Sequence, residues 1–534
     1  MYQTHIFDRN YKSYNFLFNN NVIELSIDPF NEKLFDGDFF SIHNEKVEKK
    51  ESIIKNNILQ GILILQGFKT FGSTKDKKLL YKCVPNNPKL PCFLIPYNHP
   101  ISFQKTFTNL FINFKFKEWT QKHPIGTITD IIGSVNDDKC LFEYELYCRN
   151  INHSIHKFSK YAIQHFSNIP EKKTCLKEEP FIFSIDPEGS TDFDDAFSVE
   201  ENKIFIYISN VPVFLDKHDS NIWNLFSERT STIYLPLSKK PMLPSILSDN
   251  LCSLTNNTCR ETIVMEIDLS SMSFSFFIKN VFISKNFIYE ETNLLNNIHY
   301  QLLLQNTRRL FSLHPDKYIE ELNDSHNLVS YLMILMNHQI GLRLSRGIFR
   351  ITENRENNTL PIPNELKQYL NIWNSEYIGK YIYSNTNLLF HSQLNINKYT
   401  HITSPIRRIV DIINLILFQQ QLNLYSFSKD GLSFVEKWIH RTEFINECSK
   451  QIKKAQNKCN MIHSLSFIEN IDGYIFSLHE EKYNVYLPKL NCYYSFKCNC
   501  DIEMYKKYVF KIHLFEDENN MNKRIKLSLV NENI

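Results

Sequence analysis

The chain has 534 residues, of which 43% are hydrophobic and 22% are charged. This composition excludes wholesale disorder, and at roughly 150 residues per domain the length predicts about three or four domains. The formal net charge is only +2, so any binding of phosphate backbones must come from a local concentration of positive charge.

Targeting signals and a disulfide framework are not expected. The N-terminal MYQTHIFDRN lacks the pattern of a signal peptide, and apolar stretches such as Ile409–Phe418 fall short of the roughly 20 residues that span a bilayer. Twelve cysteines are scattered from Cys83 to Cys500 without a C-x-x-C pair. We therefore expect a protein without membrane association, in an intracellular, reducing compartment (cytoplasm or nucleus).

Residues 1–175 predict short strands separated by Asp-Gly, Asn-Asn and proline-containing turns. This texture is typical of small β-barrels. The β-branched and aromatic runs are Val22–Ser26, Phe39–Ile42, Ile62–Leu65, Phe93–Pro96 and Leu110–Phe116.

From about Phe181 the pattern changes to strands mixed with longer helical periods. Asn327–Leu344 and Ile409–Gln421 predict helices because their apolar residues recur at helical spacing. After about Ser466 the chain returns to short strands at Gly473–Leu478, Tyr483–Leu487, Tyr508–Leu514 and Arg524–Leu529. We expect an α+β multidomain protein in which small barrels flank an α/β core.

The segment FSIDPEGSTDFDDAFSV concentrates acidic side chains after an apolar strand. Asp186 is followed across a turn by Asp192, Asp194 and Asp195. Carboxylates this close repel one another unless cations neutralise them, and Mg²⁺ or Mn²⁺ is the natural partner of oxygen ligands. A solvated acidic turn is the alternative, and the segment alone does not separate the two.

The segment YTHITSPIRRIVDIINLIL places two arginines at the start of a predicted helix. Thr403 or Ser404 is expected to cap that helix with Pro405 in its first turn. Arg407 and Arg408 would then oppose the helix dipole, which favours an anion such as phosphate beside them. A surface arginine pair is the commoner reading of such a motif by itself.

A third segment, Thr230–Arg260, is punctuated by prolines and presents Tyr234, Lys239 and Lys240. Tyr234 is a candidate for stacking on a base, although a core tyrosine is the default in a chain with 27 tyrosines.

Taken in this order, the segments resemble the ribonuclease II (RNB) family. Its hallmark is an I-D-P-x-x-x-x-D-x-D-D-A box, matched by Ile185–Ala196, followed far downstream by T-S-P-I-R-R, matched by Thr403–Arg408. Between these two motifs, the shorter motifs in Ile233–Arg260 and Leu332–Asn337 occur in the same order as in the family. A weaker match in Pro91–Asp137 resembles the cold-shock barrel of the exosome-type and ribonuclease R branch, here without room for a PIN domain.

The resemblance implies an RNB catalytic core at 176–465, flanked by OB-type barrels at 1–85, 86–175 and 466–534. It implies a hydrolytic 3′→5′ exoribonuclease that degrades single-stranded RNA with a free 3′ end to nucleoside 5′-monophosphates. By the same resemblance, two Mg²⁺ (or Mn²⁺) ions serve as cofactors.

The resemblance also assigns roles to single residues. The metal ligands are Asp186, Asp192, Asp194 and Asp195; the catalytic residues are Asp194, Arg407 and Tyr289; the RNA contacts are Tyr234, Arg408 and Arg260.

The chain departs from the family's pattern at Tyr331, Tyr207, Asn210, Ile409 and Leu415–Ile416. These departures leave open an alternative function, a catalytically impaired RNA-binding protein of the same fold. No partner complex or oligomeric state follows from the sequence.

Overall fold

The structure is a computed structural model. It describes residues 1–44, 46–67, 69–98, 107–169, 180–314, 319, 321–352, 362–363, 366, 369–370, 379–385, 389–464, 470–479, 481–490, 492–498, 502–517 and 522–530. The chain forms two compact units. The first comprises Met1–Asn152, Leu235–Ser238 and Asn457–Ile534, and the second comprises His153–Tyr234 and Lys239–Gln456.

An antiparallel sheet opens the first unit, with strand order β3-β2-β1-β4-β5. Its strands are β1 Tyr2–Ile6, β2 Tyr14–Phe18, β3 Asn21–Ile23, β4 Phe39–His43 and β5 Lys46–Glu51. Phe16, Leu34 and Phe40 are fully or almost fully buried and form a small core of their own. Alternating aromatic residues in β2 and β4 supply that core, as a half-buried sheet requires.

A closed barrel follows, with strand order β10-β8-β7-β6-β9. Its strands are β6 Ile58–Leu63, β7 Leu79–Pro85, β8 Phe93–Tyr97, β9 Leu110–Glu118 and β10 Ile125–Ser134. The barrel interior is tightly packed at Gly61, where a Cβ atom would lie 2.7 Å from the Cys83 sulfur.

The predicted domain boundary between residues 85 and 86 is wrong. Strands β7 and β8 are paired neighbours in the closed barrel, and the proline-rich stretch between them is a hairpin connection. The first sheet ends with β5 at Glu51 and the barrel begins with β6 at Ile58, so the boundary lies between them.

The C-terminal part of the first unit is a five-stranded antiparallel sheet with strand order β25-β24-β23-β26-β27. Its strands are β23 Asn470–His479, β24 Lys482–Leu487, β25 Cys492–Phe496, β26 Lys507–Asp517 and β27 Asn522–Leu529. All four strands predicted in this region are present, each extended by one to several residues at its ends.

The second unit is built on a six-stranded sheet with strand order β17-β16-β13-β12-β11-β18. These strands are β11 Phe183–Asp186, β12 Asp195–Glu200, β13 Lys203–Ser209, β16 Cys259–Asp268, β17 Ser273–Phe282 and β18 Lys285–Ile288. Strands β11 and β18 run parallel, whereas the other neighbours are antiparallel. Apolar residues on both faces of the central strands bury the sheet.

Shorter strands of the chain lie outside these sheets. They are β14 Ile233–Leu235, β15 Ser238–Lys240, β19 Gly347–Ile351, β20 Lys380–Ser384, β21 Phe390–His391 and β22 Ile396–Asn397.

The helices are α1 Asp138–Cys148, α2 His156–Phe166, α3 Val211–His218, α4 Thr292–Leu295, α5 Ile298–Leu313, α6 Ser325–Arg343, α7 Ile409–Gln421, α8 Lys429–Ile439 and α9 Thr442–Ser464. Both helices predicted from apolar spacing are confirmed: α7 has the predicted bounds, and α6 begins two residues early because the Asp324 side chain caps it at Asn327 N. None of the described helices is long and apolar enough to cross a lipid bilayer.

The second unit begins earlier than the boundary at residue 176 predicted from the sequence. Helix α2 packs Phe158, Ala162 and Phe166 into the core of the second unit, so that unit starts near His153 and not at residue 176. The predicted fold class, an α+β multidomain chain with an α/β core, is confirmed, and in the described part of the chain the flanking regions are one closed β-barrel and two five-stranded antiparallel sheets.

Candidate active site

The acidic segment lies at the open end of the β11–β12 pair in the second unit. The register joins Phe183 to Phe197, and continuing it brings Asp186 opposite Asp194, next to Asp195. The intervening turn carries Asp192. Strand pairing therefore concentrates the four predicted metal ligands, as the apolar residues flanking them suggest.

The structure divides these four aspartates into two pairs. Asp192 and Asp194, here called the occupied pair, already have cationic or hydrogen-bonding partners. Asp192 accepts from Tyr234 Oη at 2.9 Å and from Lys239 Nζ at 3.1 Å. Asp194 accepts from the Ile406 amide at 2.8 Å and from Arg407 Nε at 3.0 Å.

Asp186 and Asp195, here called the open pair, differ from them, although the Asp186 side chain is hydrogen-bonded to the Ser184 side chain. Within the described residues neither carboxylate has a cationic side chain at ion-pair distance, and one oxygen of Asp186 is buried without a hydrogen bond. Burial raises the pKa of both groups, and the charges of Asp186 and Asp194 raise the pKa of Asp195 further. Two half-buried carboxylates in this state are suited to share a hard divalent cation.

Asp194 differs because its charge is partly compensated. Burial raises its pKa to about 7, although Arg407 and the Ile406 amide both act to lower it. Desolvation therefore outweighs a well-formed ion pair at this position.

No group of three or more His, Cys, Asp or Glu side chains is arranged to hold a metal ion on its own in the described part of the chain. The open pair would complete its coordination with water and with oxygens of a bound phosphate, which is how Mg²⁺ is commonly held in nucleotide-processing sites.

The loop that carries Arg407 corrects the sequence-based prediction of a helix cap at Thr403 or Ser404. Helix α7 begins only at Ile409, and Arg408 takes the N-cap position with extended backbone. The cause is pairing with another segment: Thr232 N donates to Arg407 O and Ile409 N donates to Thr230 O. These bonds accompany an antiparallel bridge between Ser231 and Arg408 and hold Arg408 extended, next to the Arg407 side chain that is bonded to Asp194.

Two buried asparagines fix the same loop, and sequence analysis missed their role. Asn337 Oδ1 accepts from Ile402 N at 2.9 Å, and Asn414 Nδ2 donates to the carbonyl of His401 at 3.1 Å. Asn337 is the last residue of the LMILMN motif, and Asn414 lies in α7. Their contacts become visible only in the folded protein, where α6 packs against this loop.

Arg408 has a different environment from Arg407. Its Nη2 donates at 2.9 Å to Asp411, a fully buried carboxylate that also accepts from Ser404 N at 2.7 Å. Burial lowers the pKa of the adjacent His401, and Arg408 and Arg350 lower it further, so His401 is neutral.

A cavity of about 470 Å³ lies beside these groups in the second unit. Its cationic lining comprises Arg350, Arg407, Arg408 and Lys453, and its polar lining includes Tyr234, Tyr381 and the 230–232 hydroxyls. The net charge of the whole chain is close to zero, so this local cluster of positive charge could not be inferred from it.

The structure brings two of the predicted aromatic residues to the aspartates. Tyr234 is 40% exposed and bonded to Asp192. The Tyr289 amide donates to Asp186 O at 3.1 Å, and its ring stacks on His326 with centroids 3.8 Å apart. Burial, followed by the charges of Asp195 and Asp186, raises the pKa of Tyr289. His326 carried no sequence signal because it stands alone at the start of α6.

Arg260 lies elsewhere. It is 7% exposed and donates to the carbonyls of Ser253, Cys259 and Asn250 at 2.8, 3.1 and 3.0 Å. These contacts stabilise the 250–259 loop. The RNA contact predicted for Arg260 stays a prediction.

The positions that depart from the family pattern are packed in the core. Asn210 and Gln419 exchange amide hydrogen bonds at 2.9 and 3.1 Å. Tyr207 bonds Ser198 at 2.9 Å, and Tyr331 packs edge-on to Phe311. Leu415 and Ile416 are fully buried. The departures therefore change the interior and leave the four aspartates and Arg407 in place.

Comparison with known proteins matches the model of the RNB domain to residues 175–288 and 276–424. Ribonuclease R of Helicobacter pylori is 26% identical over 429 residues, which cover 64% of this chain and 64% of that protein. The chain thus spans just under two thirds of the length of this curated relative.

Two solved structures are similar in fold. Mycoplasma genitalium RNase R in complex with ribose-methylated single-stranded RNA has a TM-score of 0.68 at 15% identity, covering 99% of this chain and 100% of that one. Yeast Ssd1, described as a pseudonuclease, has a TM-score of 0.55 at 14% identity, covering 84% of this chain and 66% of that one.

Proposed function

We propose that this chain, which belongs to the RNB family through residues 175–424, is a divalent-cation-dependent 3′→5′ exoribonuclease that hydrolyses single-stranded RNA to nucleoside 5′-monophosphates. The observation that carries the proposal is the bonding of one carboxylate, Asp194, to both Ile406 N and Arg407 Nε. This contact joins two motifs more than two hundred residues apart into one site.

The donor set fits a hard cation. Asp186 and Asp195 would hold Mg²⁺ or Mn²⁺, because desolvation and neighbouring carboxylates disfavour their charged forms and neither has a cationic side chain at ion-pair distance among the described residues. A cation bound there would polarise the scissile phosphate and activate a water. The two-ion arrangement predicted from the sequence stays a prediction, because a second ion would need oxygens of the occupied pair.

Arg407 is suited to hold the scissile phosphate. Nε binds Asp194 and Nη2 donates to Ser404 Oγ at 3.0 Å, which leaves Nη1 without a hydrogen-bond partner among the described residues. The side chain is 44% exposed, so a phosphate can reach it. A guanidinium fixed in advance stabilises charge that develops in the transition state without paying for reorganisation.

The residues around the acidic site support single-stranded RNA as the substrate. Arg408, Arg350 and Lys453 line a cavity beside Tyr234, which offers a stacking face to a base. The small β-barrels of the first unit would bind the strand through charge and stacking without reading its sequence. Contacts to ribose 2′-hydroxyls would favour RNA over DNA.

The alternative is an RNA-binding protein that has lost catalysis. It is motivated by the departures at Tyr331 and Leu415–Ile416 and by the fold likeness to a pseudonuclease. The four aspartates favour the enzyme, since burying such a cluster without a cation to bind is a cost to stability.

The test uses 5′-labelled RNA and DNA oligonucleotides of the same sequence, with Mg²⁺ or with EDTA. We expect stepwise shortening of RNA from its 3′ end and release of mononucleotides, with EDTA stopping the reaction. A DNA oligonucleotide should survive. Retention of intact RNA with Mg²⁺ present would establish the binding-protein alternative, and internal cuts would establish an endonuclease.

A further inference from the structure

Lys239 makes an unusual set of contacts at the edge of the acidic segment. Its Nζ donates to Asp192 Oδ1 at 3.1 Å, to Asp249 Oδ1 at 2.8 Å and to Thr191 Oγ1 at 2.8 Å. An ammonium has three N–H donors, and all three are used. The side chain is only 26% exposed, unlike a lysine that extends into solvent.

The partner carboxylate Asp249 is itself held in place. It lies in the π-helical turn Ile246–Leu251, and its Oδ1 also accepts from Ser248 Oγ at 3.0 Å and Thr191 Oγ1 at 3.3 Å. Lys239 is thus fixed between two carboxylates by a network that does not depend on bound RNA. Such a network restrains a flexible side chain at the cost of its rotamer entropy, which a surface lysine would keep.

These contacts place an ammonium against the carboxylate that a second ion would require, and that positive charge opposes the binding of another cation. Asp192 uses one oxygen for Lys239 and the other for Tyr234 Oη. Asp194 is likewise bonded through both oxygens to Ile406 N and Arg407. Positive charge already faces the occupied pair, whereas the open pair has none within ion-pair distance in the described part of the chain.

We propose that the Lys239 ammonium takes the place of a second metal ion at Asp192, so that the chain binds a single divalent cation, at Asp186 and Asp195. The proposal rests on the proposed function for its metal chemistry and revises the ion count predicted from the sequence. Lys239 acts by neutralising Asp192 next to the bound phosphate, and Asp249 acts as the residue that positions Lys239.

The test measures ion binding to RNA-free protein, so that it is independent of hydrolysis. Mn²⁺ is titrated into wild-type protein, and bound and free ion are distinguished by electron paramagnetic resonance and by calorimetry. We expect one equivalent of tightly bound Mn²⁺. Two equivalents of similar affinity in the wild type would overturn the proposal, whatever the variants do.

Lys239→Met frees Asp192 and removes the competing charge. We expect the variant to bind two Mn²⁺ ions, and the Mg²⁺ dependence of any hydrolysis to become sigmoidal. Lys240→Met is the matched control, with the same change in charge one residue away, and should keep one equivalent. If Lys239→Met and Lys240→Met bind the same number of ions, Lys239 does not exclude a second cation and the proposal fails.

Asp249→Asn provides a second variant that keeps the lysine. Loss of its anchor should let Mn²⁺ compete for Asp192, with the affinity for a second ion lying between those of wild type and Lys239→Met. If the variants bind a second ion but no form of the protein hydrolyses RNA, the proposed exoribonuclease activity is wrong and the single ion of the wild type is supported. If the wild type hydrolyses RNA and binds two ions, the exoribonuclease activity is supported and the single-ion proposal is wrong.

Discussion

The open pair and the occupied pair lie in one ten-residue segment, 186–195, but the fold treats them differently. Asp192 and Asp194 are bonded to Tyr234, Lys239, Ile406 N and Arg407. Asp186 and Asp195 have no cationic side chain at ion-pair distance among the described residues, and the charge of Asp186 raises the pKa of Asp195. The difference shows that an acidic motif is not one site: part of it is neutralised from within the chain, and the other part is the one we propose for an ion from solution.

The largest expected effect comes from removing a charge of the open pair. Asp195→Asn should reduce RNA hydrolysis by at least about 10³-fold, on the scale of losing a pre-organised charge at a reaction centre. RNA affinity should change little. Because burial and the neighbouring carboxylates raise the pKa of Asp195, the substitution should also increase the free energy of unfolding in EDTA.

Single-turnover assays, filter binding and chemical denaturation measure these three quantities. Asp268→Asn, a half-buried aspartate at the end of β16, is the matched control. Equal loss of hydrolysis and of RNA binding in Asp195→Asn would mean that the open pair is structural.

Asp194, a member of the occupied pair, should make the free energy of unfolding depend on pH. Its pKa of about 7 in the folded protein exceeds the ordinary 3.8, so between these values the folded state holds a proton that the unfolded state has lost. The free energy of unfolding in EDTA should therefore fall as pH rises from about 4 to 7, by up to about 4 kcal/mol. Denaturation across this range should show the slope in wild type and a smaller slope in Asp194→Asn.

A slope of the opposite sign would mean that Arg407 and Ile406 N more than compensate the burial of Asp194. In that case the two pairs would differ even more than described above. Asp194→Asn should also lose hydrolysis while RNA binding is largely kept.

The two adjacent arginines extend the same comparison. Arg407→Ala should lower turnover by about 10²- to 10³-fold and affinity far less, since Arg407 is bonded to Asp194 and is the residue that we propose holds the scissile phosphate. Arg408→Ala should act chiefly on stability and RNA affinity, because it removes the partner of the fully buried Asp411. Steady-state kinetics with separate kcat and KM values distinguish them, and equal losses for Arg407→Ala would remove it from catalysis.

The smallest effect is the stabilisation of the wild type by Mg²⁺. Binding to the folded state alone raises the free energy of unfolding by about 2.7 kcal/mol at a concentration 100 times Kd. Thermal unfolding with and without Mg²⁺ should show this gain in wild type and not in Asp195→Asn. Stabilisation of the variant to the same extent would place the ion away from the open pair.

Much of the fold was determined locally and could be predicted. Helix α7 has the bounds expected from apolar spacing, and the C-terminal strands lie where β-branched and aromatic runs predicted them. The helix cap expected at Thr403 or Ser404 was wrong, because hydrogen bonds to 230–232 hold Arg408 extended and delay the start of the helix to Ile409. The barrel boundary was also wrong, because a proline-rich hairpin and a domain linker have the same composition.

By itself, the sequence determined which chemistry this protein can perform: it places four aspartates after a buried strand and an arginine in a downstream motif. Only the tertiary structure decided how that charge is distributed. Lys239, Asp249 and Asn337 are ordinary residues in the sequence, and their roles arise from contacts across tens of residues. Pairing energies between charges depend on distance and burial, which a linear motif does not contain.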